Sequence, residues 1–209
     1  KTLRSSDRLD SLSAVVKDVA ALYPATRYPR SHSNIIFAKI KYARALSDEK
    51  KYAQAVTILN DVEKEARRFF SQDRYPIGHQ WLVRIGTNLS YNEYHNRQYE
   101  NARTAALNSA DMAKKLWPNG NGPNEIDDLF NVVYNLTQIS YDLAFEVDAR
   151  KWGEDSLVLA KRYGSSPNVL VAWSQRAVAK AAERGGDYAS ASDHYRAARQ
   201  EWKNLLQAR

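Results

Sequence analysis

Four histidines, at positions 32, 79, 95 and 194, are the side chains best suited to move protons or hold a metal near neutral pH. No two stand three or four residues apart, so no single helix turn presents a chelating pair, and H-E-x-x-H does not occur. The chain has no cysteine. That removes thiolate nucleophiles, disulfide scaffolds and Cys-ligated zinc or iron–sulfur centres. Neither G-x-x-x-x-G-K-[ST] nor G-x-G-x-x-G is present to cradle a phosphate. Asn119-Gly120-Asn121-Gly122 is glycine-rich but follows no strand, and reads as a turn between helices. Asp127-Asp128 falls near a helix start, where acids favour the macrodipole. Ser5-Ser6 and Ser165-Ser166 precede helices and suit caps better than nucleophiles. The expectation is a chain that is not an enzyme, with no catalytic or metal residues and no cofactor.

Two of the histidines share a context. Arg27-Tyr28-Pro29-Arg30-Ser31-His32 recurs as Arg74-Tyr75-Pro76-Ile77-Gly78-His79, and Lys51-Tyr52-Ala53-Gln54-Ala55 as Gln98-Tyr99-Glu100-Asn101-Ala102, both 47 residues on. Equivalent positions argue for a structural part for His32 and His79: a hydrogen bond at a helix start, or packing in the turn. Pro76 to Pro123 is again 47 residues, and all six prolines cluster at a few joints. Proline inside a helix loses a hydrogen bond and clashes with the preceding turn, so the joints are boundaries and the segments between them are free to be helical. Each segment splits in two at helical spacing. Ile36, Phe37, Ile40, Ala43 and Leu46 precede a polar break, and Tyr52, Ala55, Val56, Leu59, Val62, Ala66 and Phe69 follow it. Trp81, Leu82, Ile85 and Leu89 repeat the first stripe, and Tyr99, Ala102, Ala106, Ala110 and Ala113 the second. The third unit carries Ile126, Leu129, Val133, Leu136 and Ile139, then a short helix from Trp152 to Tyr163. The fourth carries Val171, Val178 and Ala182, the turn Gly185-Gly186-Asp187 with Asp187 as N-cap, then Tyr188, Ala191, Tyr195 and Ala198. Moving residues 51–70 back by 47 lands on 4–23, so the helix Asp7–Tyr23 reads as the second half of a preceding unit. It is either a cap or the stump of a longer array; we favour the stump.

Composition agrees with an all-α chain of about nine helices. Among 209 residues there are only 8 glycines and 6 prolines, about 7% against a usual ~12%, too few for the frequent turns of a sandwich or barrel. Apolar residues make up 44% and charged residues 26%, a globular balance. No apolar run approaches the ~18–20 residues of a membrane span. Without a signal segment or anchor the expected location is cytoplasmic, and no membrane partner is expected. The net charge of +7 is uneven: residues 1–105 hold 18 basic and 11 acidic side chains, and the remainder hold 13 of each.

Tyr52-Ala53-Gln54-Ala55 followed by Leu59, Tyr99 with Ala102, and Asp187-Tyr188-Ala189-Ser190-Ala191 followed by Tyr195 and Ala198 resemble the second helix of a tetratricopeptide repeat. The unit from Pro29 to Phe70, with its Pro-x-x-His opening, most resembles the longer variety found in kinesin light chains, and similar arrays are fused to bacterial signalling proteins. The resemblance implies a single domain, an α-solenoid of antiparallel helix pairs. Its units would run roughly over 4–26, 27–73, 74–120, 121–164 and 165–209. In the third unit Trp152 takes the aromatic position and Asp155 falls where a small apolar residue is expected.

In such arrays the first helices line a concave groove. With Ala43, Ser90 and Ala179 at the small position, the resemblance puts Phe37, Ile40, Lys41, Arg44 and Ser47 on that face. It adds Arg84, Thr87, Asn88, Tyr91 and His95, then Thr137 and Tyr141, then Trp173, Arg176, Lys180 and Arg184. Asn88 fits one position of the family's carboxylate clamp, but Ile40, Arg44 and Tyr141 break others, so no C-terminal clamp is expected. The partner-binding expectation rests on Lys41, Arg44, Arg84, Asn88, Tyr91, His95, Tyr141, Trp173, Arg176 and Lys180. Cations among aromatics suit an acidic or extended peptide with large apolar anchors. The function implied is a protein- or peptide-binding scaffold or sensor module cut from a larger regulatory protein. The partner is a protein, a peptide or another domain of the same parent chain. Two alternatives are a helical array that binds nucleic acid, against which acids such as Glu63 and Glu65 argue, and an array that gates a catalytic domain elsewhere in its parent chain.

Overall fold

The computed structural model describes residues 5–118, 123–163 and 168–208. The turn Asn119-Gly120-Asn121-Gly122 and the pair Ser165-Ser166 lie outside them, as do the side chains of Ser5, Ser6 and Ile126. The chain forms two compact units, Lys1–Leu116 and Trp117–Arg209. The first holds α1 (Ser5–Leu22), α2 (Ser33–Asp48), α3 (Tyr52–Phe69), α4 (Gln80–His95) and α5 (Tyr99–Leu116). The second holds α6 (Pro123–Asp142), α7 (Glu146–Tyr163), α8 (Val169–Arg184) and α9 (Tyr188–Gln207). Among the described residues there are nine helices and no strand, as the composition requires. Within each unit every helix packs on the next in sequence, which short turns between helices enforce.

The helices pair because each stripe is apolar on one side and small at the contact. In the first unit Ile36, Ile40, Ala43 and Leu46 of α2 meet Ala55, Leu59, Val62 and Ala66 of α3. Ala43, Ala55, Ala66, Ala102, Ala106 and Ala113 are fully buried, so the backbones approach closely. In the second unit Phe130, Leu157, Ala160 and Val171 form one cluster, and Ala177, Ala179, Ala181 and Ala182 are buried along α8.

The 47-residue register is visible at the joints. α1 matches α3, and α2 and α3 match α4 and α5, each shifted by 47 residues at both ends. His32 Nδ1 accepts from the Asn34 amide at 3.2 Å, and His79 Nδ1 accepts from the Trp81 amide at 3.2 Å. Each imidazole thus caps a helix that would otherwise begin with unsatisfied donors. Each also stacks on the aromatic that follows the helix before it, His32 on Tyr23 and His79 on Phe70. Both expected roles of these histidines are present. The turn inside each pair has its own device. Lys50, Arg97 and Ala144 take positive φ, 47 residues apart, and Gly186 does so in the last pair. The next amide reaches back to the helix end, as in Lys51 N to Leu46 O at 2.8 Å and Gln98 N to Glu93 O at 2.8 Å.

Two helix starts differ from expectation. α1 begins at Ser5, so Ser5-Ser6 belong to its first turn rather than preceding it. α7 starts at Glu146 rather than Trp152. Glu146 stands where the register places Tyr52 and Tyr99, and the small residue three later is Ala149, fully buried. The indole of Trp152 drew the aromatic position two turns too late, and Asp155 is no defect, because the small contact positions are Ala149, Ser156 and Ala160, all fully buried.

Candidate partner-binding faces

Phe37 and Lys41 lie one turn apart on α2, and Trp81 and Arg84 sit one turn apart on α4. Neighbours on a helix at that spacing share a face. The Phe37 ring meets the Trp81 ring edge-on, centroids 5.6 Å apart and planes at 74°. Lys41 Nζ stands 5.2 Å from the centre of Phe37, and Arg84 Cζ stands 5.2 Å from Trp81. The four side chains form a cation–aromatic–aromatic–cation row, in which each cation is held by the ring quadrupole. Phe37 remains 44% exposed, large for a phenylalanine and open to a partner. Arg44 lies one turn beyond Lys41, exposed.

A second cluster closes the same face toward the ends of these helices. His95 stacks on Tyr52 with centroids 4.9 Å apart and planes 17° from parallel, and Tyr91 lies 4.3 Å from His95. Burial lowers the His95 pKa, so the ring is neutral at pH 7 and presents one donor and one acceptor. Burial raises the Tyr91 pKa, with further contributions from Tyr52 and Asp48, so its hydroxyl stays a donor. Asn88 donates its side-chain amide to Arg84 O at 2.7 Å, and Asn92 donates to Asn88 O at 2.8 Å. Ser47 Oγ bridges α2 to α4 by donating to Asn92 Oδ1 at 2.6 Å.

The second unit has a smaller face of the same kind. Lys180 Nζ and Arg184 Cζ stand 5.5 and 5.0 Å from the centre of the Tyr141 ring, and an Arg184 guanidinium N–H donates to Tyr141 O. Trp173, 41% exposed, leans on Tyr134 with centroids 6.3 Å apart. Arg176 is exposed on α8. Burial raises the pKa of Tyr134 and Arg176 partly offsets it. Tyr195 on α9 donates to Glu183 Oε2 at 2.8 Å. Burial first, then that bond and the charges of Glu183 and Tyr141, push its hydroxyl up to about 12 against a smaller pull from Arg176.

The structure brings Lys41, Arg44, Arg84, Asn88, Tyr91 and His95 onto one face of α2 and α4, and Tyr141, Trp173, Arg176 and Lys180 onto α6 and α8. Two residues expected on the lining are instead in the core. Ile40 is 4% exposed and packs with Ile36 and Ala43, and Thr137 is 1% exposed with its hydroxyl donated to Val133 O. Each falls on the core edge of its stripe. Trp81, Tyr52 and Tyr195 were not expected in a site. They read as seam and core aromatics, and only the fold shows Trp81 against Phe37, Tyr52 stacked on His95, and Tyr195 bonded to Glu183 of α8. The fourth histidine, His194, bonds Gln175 Oε1 through Nδ1 at 2.5 Å. Among the described residues no group of three His, Cys, Asp or Glu could hold a metal, and no helix is long and apolar enough to cross a membrane.

Solved structures share this helix-pair arrangement. A Podosopora anserina protein of nearly identical TPR-like repeats, named for kinesin light chain, superposes with a TM-score of 0.74. The match has 15% identity and covers 98% of this chain and 89% of that one. The fold is that of TPR-like repeats. A second structure of those repeats matches with a TM-score of 0.71 at 15% identity, over 95% of this chain and 87% of that one. BtubC from P. vanneervenii matches with a TM-score of 0.57 at 12% identity, over 98% and 93%. No family model matches the chain, and no curated protein does.

Proposed function

We propose that this TPR-like chain is a protein- or peptide-binding scaffold whose first-helix faces hold an acidic or extended segment with large apolar anchors. TPR-like folds generally mediate protein–protein interaction, and the chemistry of these faces narrows the partner. The row Lys41–Phe37–Trp81–Arg84 carries the reading. Its aromatics are rigid apolar anchors of the kind that dominate interface energetics. Its cations are placed to meet carboxylates beside those anchors, and arginine can do so bidentately. Tyr91 and His95, with Trp173, Arg176 and Lys180 in the second unit, extend the same chemistry. Selection of binding peptides from a random displayed library, with the wild-type chain and Arg84→Ala/Tyr91→Ala in parallel, tests it. Enrichment of acidic, aromatic-containing peptides that the double variant fails to hold is the expected result.

A further inference from the structure

The first unit contains a cavity of about 260 Å³ on the side of α4 opposite the face just described. Leu82, Gly86, Leu89 and Glu93 of α4 form its floor, with α3 and α5 as its walls. The repeat explains why it is there. At the positions 47 residues earlier the chain carries Lys39, Tyr42, Ile58, Val62 and Glu65, with Lys39 and Glu65 joined as an ion pair. In the cavity these become Gly86, Leu89, Ala105, Ser109 and Met112. Four of the five exchanges remove bulk. A Cβ at position 86 would stand 2.0 Å from Ser109 Oγ, so refilling the space from there requires Ser109 to move.

A sixth exchange changes the chemistry. Leu46, 2% exposed in the earlier pair, becomes Glu93, 9% exposed. One carboxyl oxygen of Glu93, Oε2, is buried without a hydrogen-bond partner among the described residues. An ionised carboxylate buried in this way is costly unless a cation or further donors meet it. Asn101 donates one hydrogen bond to the carboxyl group, and the cation on the walls, Arg67, is paired instead with Glu63 at 2.6 Å. Amide side chains, Asn60, Asn101 and Asn108, supply acceptors around the opening, and Leu82, Leu89 and Met112 supply apolar surface.

We propose that this cavity binds a guanidinium or primary ammonium group carried on a short apolar stem. The cation meets the Glu93 carboxylate and the amide oxygens, and the stem lies along Leu82, Leu89 and Met112. The volume is below the ~300–1,000 Å³ of sites for drug-sized ligands, so the group is small. It comes either from an arginine or lysine side chain of a protein or from a free small cation. The site is separate from the peptide-binding faces and does not depend on them.

The test is an NMR titration of the full chain with n-butylguanidinium, with pentanoate as the anionic counterpart and a blocked arginine tripeptide as a second probe. The cation is expected to move the Glu93 side-chain signals and the side-chain amides of Asn60, Asn101 and Asn108 saturably, and pentanoate is not. Glu93→Gln weakens binding at least tenfold. Glu93→Leu restores the residue of the preceding repeat, keeps the helical circular dichroism and abolishes binding. A tripeptide that binds as tightly as n-butylguanidinium assigns the site to a protein side chain, and one at least tenfold weaker assigns it to a free cation. No saturable shift at Glu93 with either probe, or equal affinity in the wild type, Glu93→Gln and Glu93→Leu, overturns the proposal.

Discussion

The imidazole of His79 lies flat on the ring of Phe70, with centroids 3.7 Å apart and planes 7° from parallel. The same relationship holds 47 residues earlier between His32 and Tyr23, at 3.9 Å and 6°. Tyr75 and Tyr28 meet their histidines edge-on at 5.0 and 5.3 Å. One ring therefore caps the incoming helix through Nδ1 and packs against the outgoing one. That is how Arg-Tyr-Pro-x-x-His joins two helix pairs.

His79→Ala removes a cap and an aromatic stack. The expected loss is about 1.5–2.5 kcal/mol, from ~1 for a cap and ~0.5–1.5 for an aromatic pair. It shows as a lower urea midpoint at unchanged slope. The pH dependence has a definite sign. Burial lowers the His79 pKa from its ordinary 6.5, and an imidazolium could not accept the Trp81 amide. This contribution is therefore complete above pH 6.5 and is lost as pH falls through the folded-state pKa. His79→Ala and the wild type should converge in stability as the buffer is taken from pH 7 toward pH 5.

Gly86→Ala is expected to destabilise despite alanine's better helix propensity. The added Cβ would stand 2.0 Å from Ser109 Oγ, so α4 and α5 must separate or Ser109 must move. Overpacking of this kind costs about 1–3 kcal/mol, against roughly 1 gained in propensity. Adding Ser109→Ala should recover most of the loss. Thermal midpoints of the single and double variants decide it.

Lys50, Arg97 and Ala144 hold φ of 58°, 62° and 60° in the turns inside their helix pairs. A side chain in that region costs about 1–2 kcal/mol relative to right-handed backbone, which glycine avoids. Lys50→Gly and Ala144→Gly should each raise stability by about 0.5–1 kcal/mol, after the entropy cost of a more flexible unfolded chain. Gly186→Ala, at φ 79°, should lower it.

Glu93 has a pH signature of its own. Burial raises its pKa above the ordinary 4.5, partly opposed by a hydrogen bond from Asn101. Its folded form favours the proton, so its contribution is greatest below pH 4.5 and is lost as pH rises through the folded-state pKa. Relative to the wild type, Glu93→Leu should therefore gain stability as pH increases from 4 to 8. Denaturant midpoints across that range check the slope.

The fold was legible because the chain repeats itself. Two copies of Arg-Tyr-Pro-x-x-His and two of the Tyr-x-x-Ala helix start share one offset, and α2 to α5 follow it at every boundary. The third pair was misread where Glu146 replaces the seam tyrosine, because the next aromatic, Trp152, offered a plausible but later start. On the binding faces, the positions of Lys41, Arg84 and Tyr91 follow from helical spacing alone. Periodicity does not say which side of a stripe is core, and Ile40 and Thr137 were lost on that edge. The cavity over Gly86 leaves no mark on hydrophobic periodicity. It arises because the side chains that shrink between the two copies are neighbours in the fold.

The central claim is that the α2–α4 face holds an acidic segment on Lys41, Phe37, Trp81 and Arg84. The most direct measurement is the affinity of a selected acidic, aromatic-containing peptide for the wild type and for Arg84→Ala/Tyr91→Ala. Loss of an arginine–carboxylate contact and an aromatic anchor should weaken binding at least tenfold, and raising the salt should weaken the wild type more than the variant. Equal affinities for the two proteins, or selected peptides without acidic residues, would contradict the account.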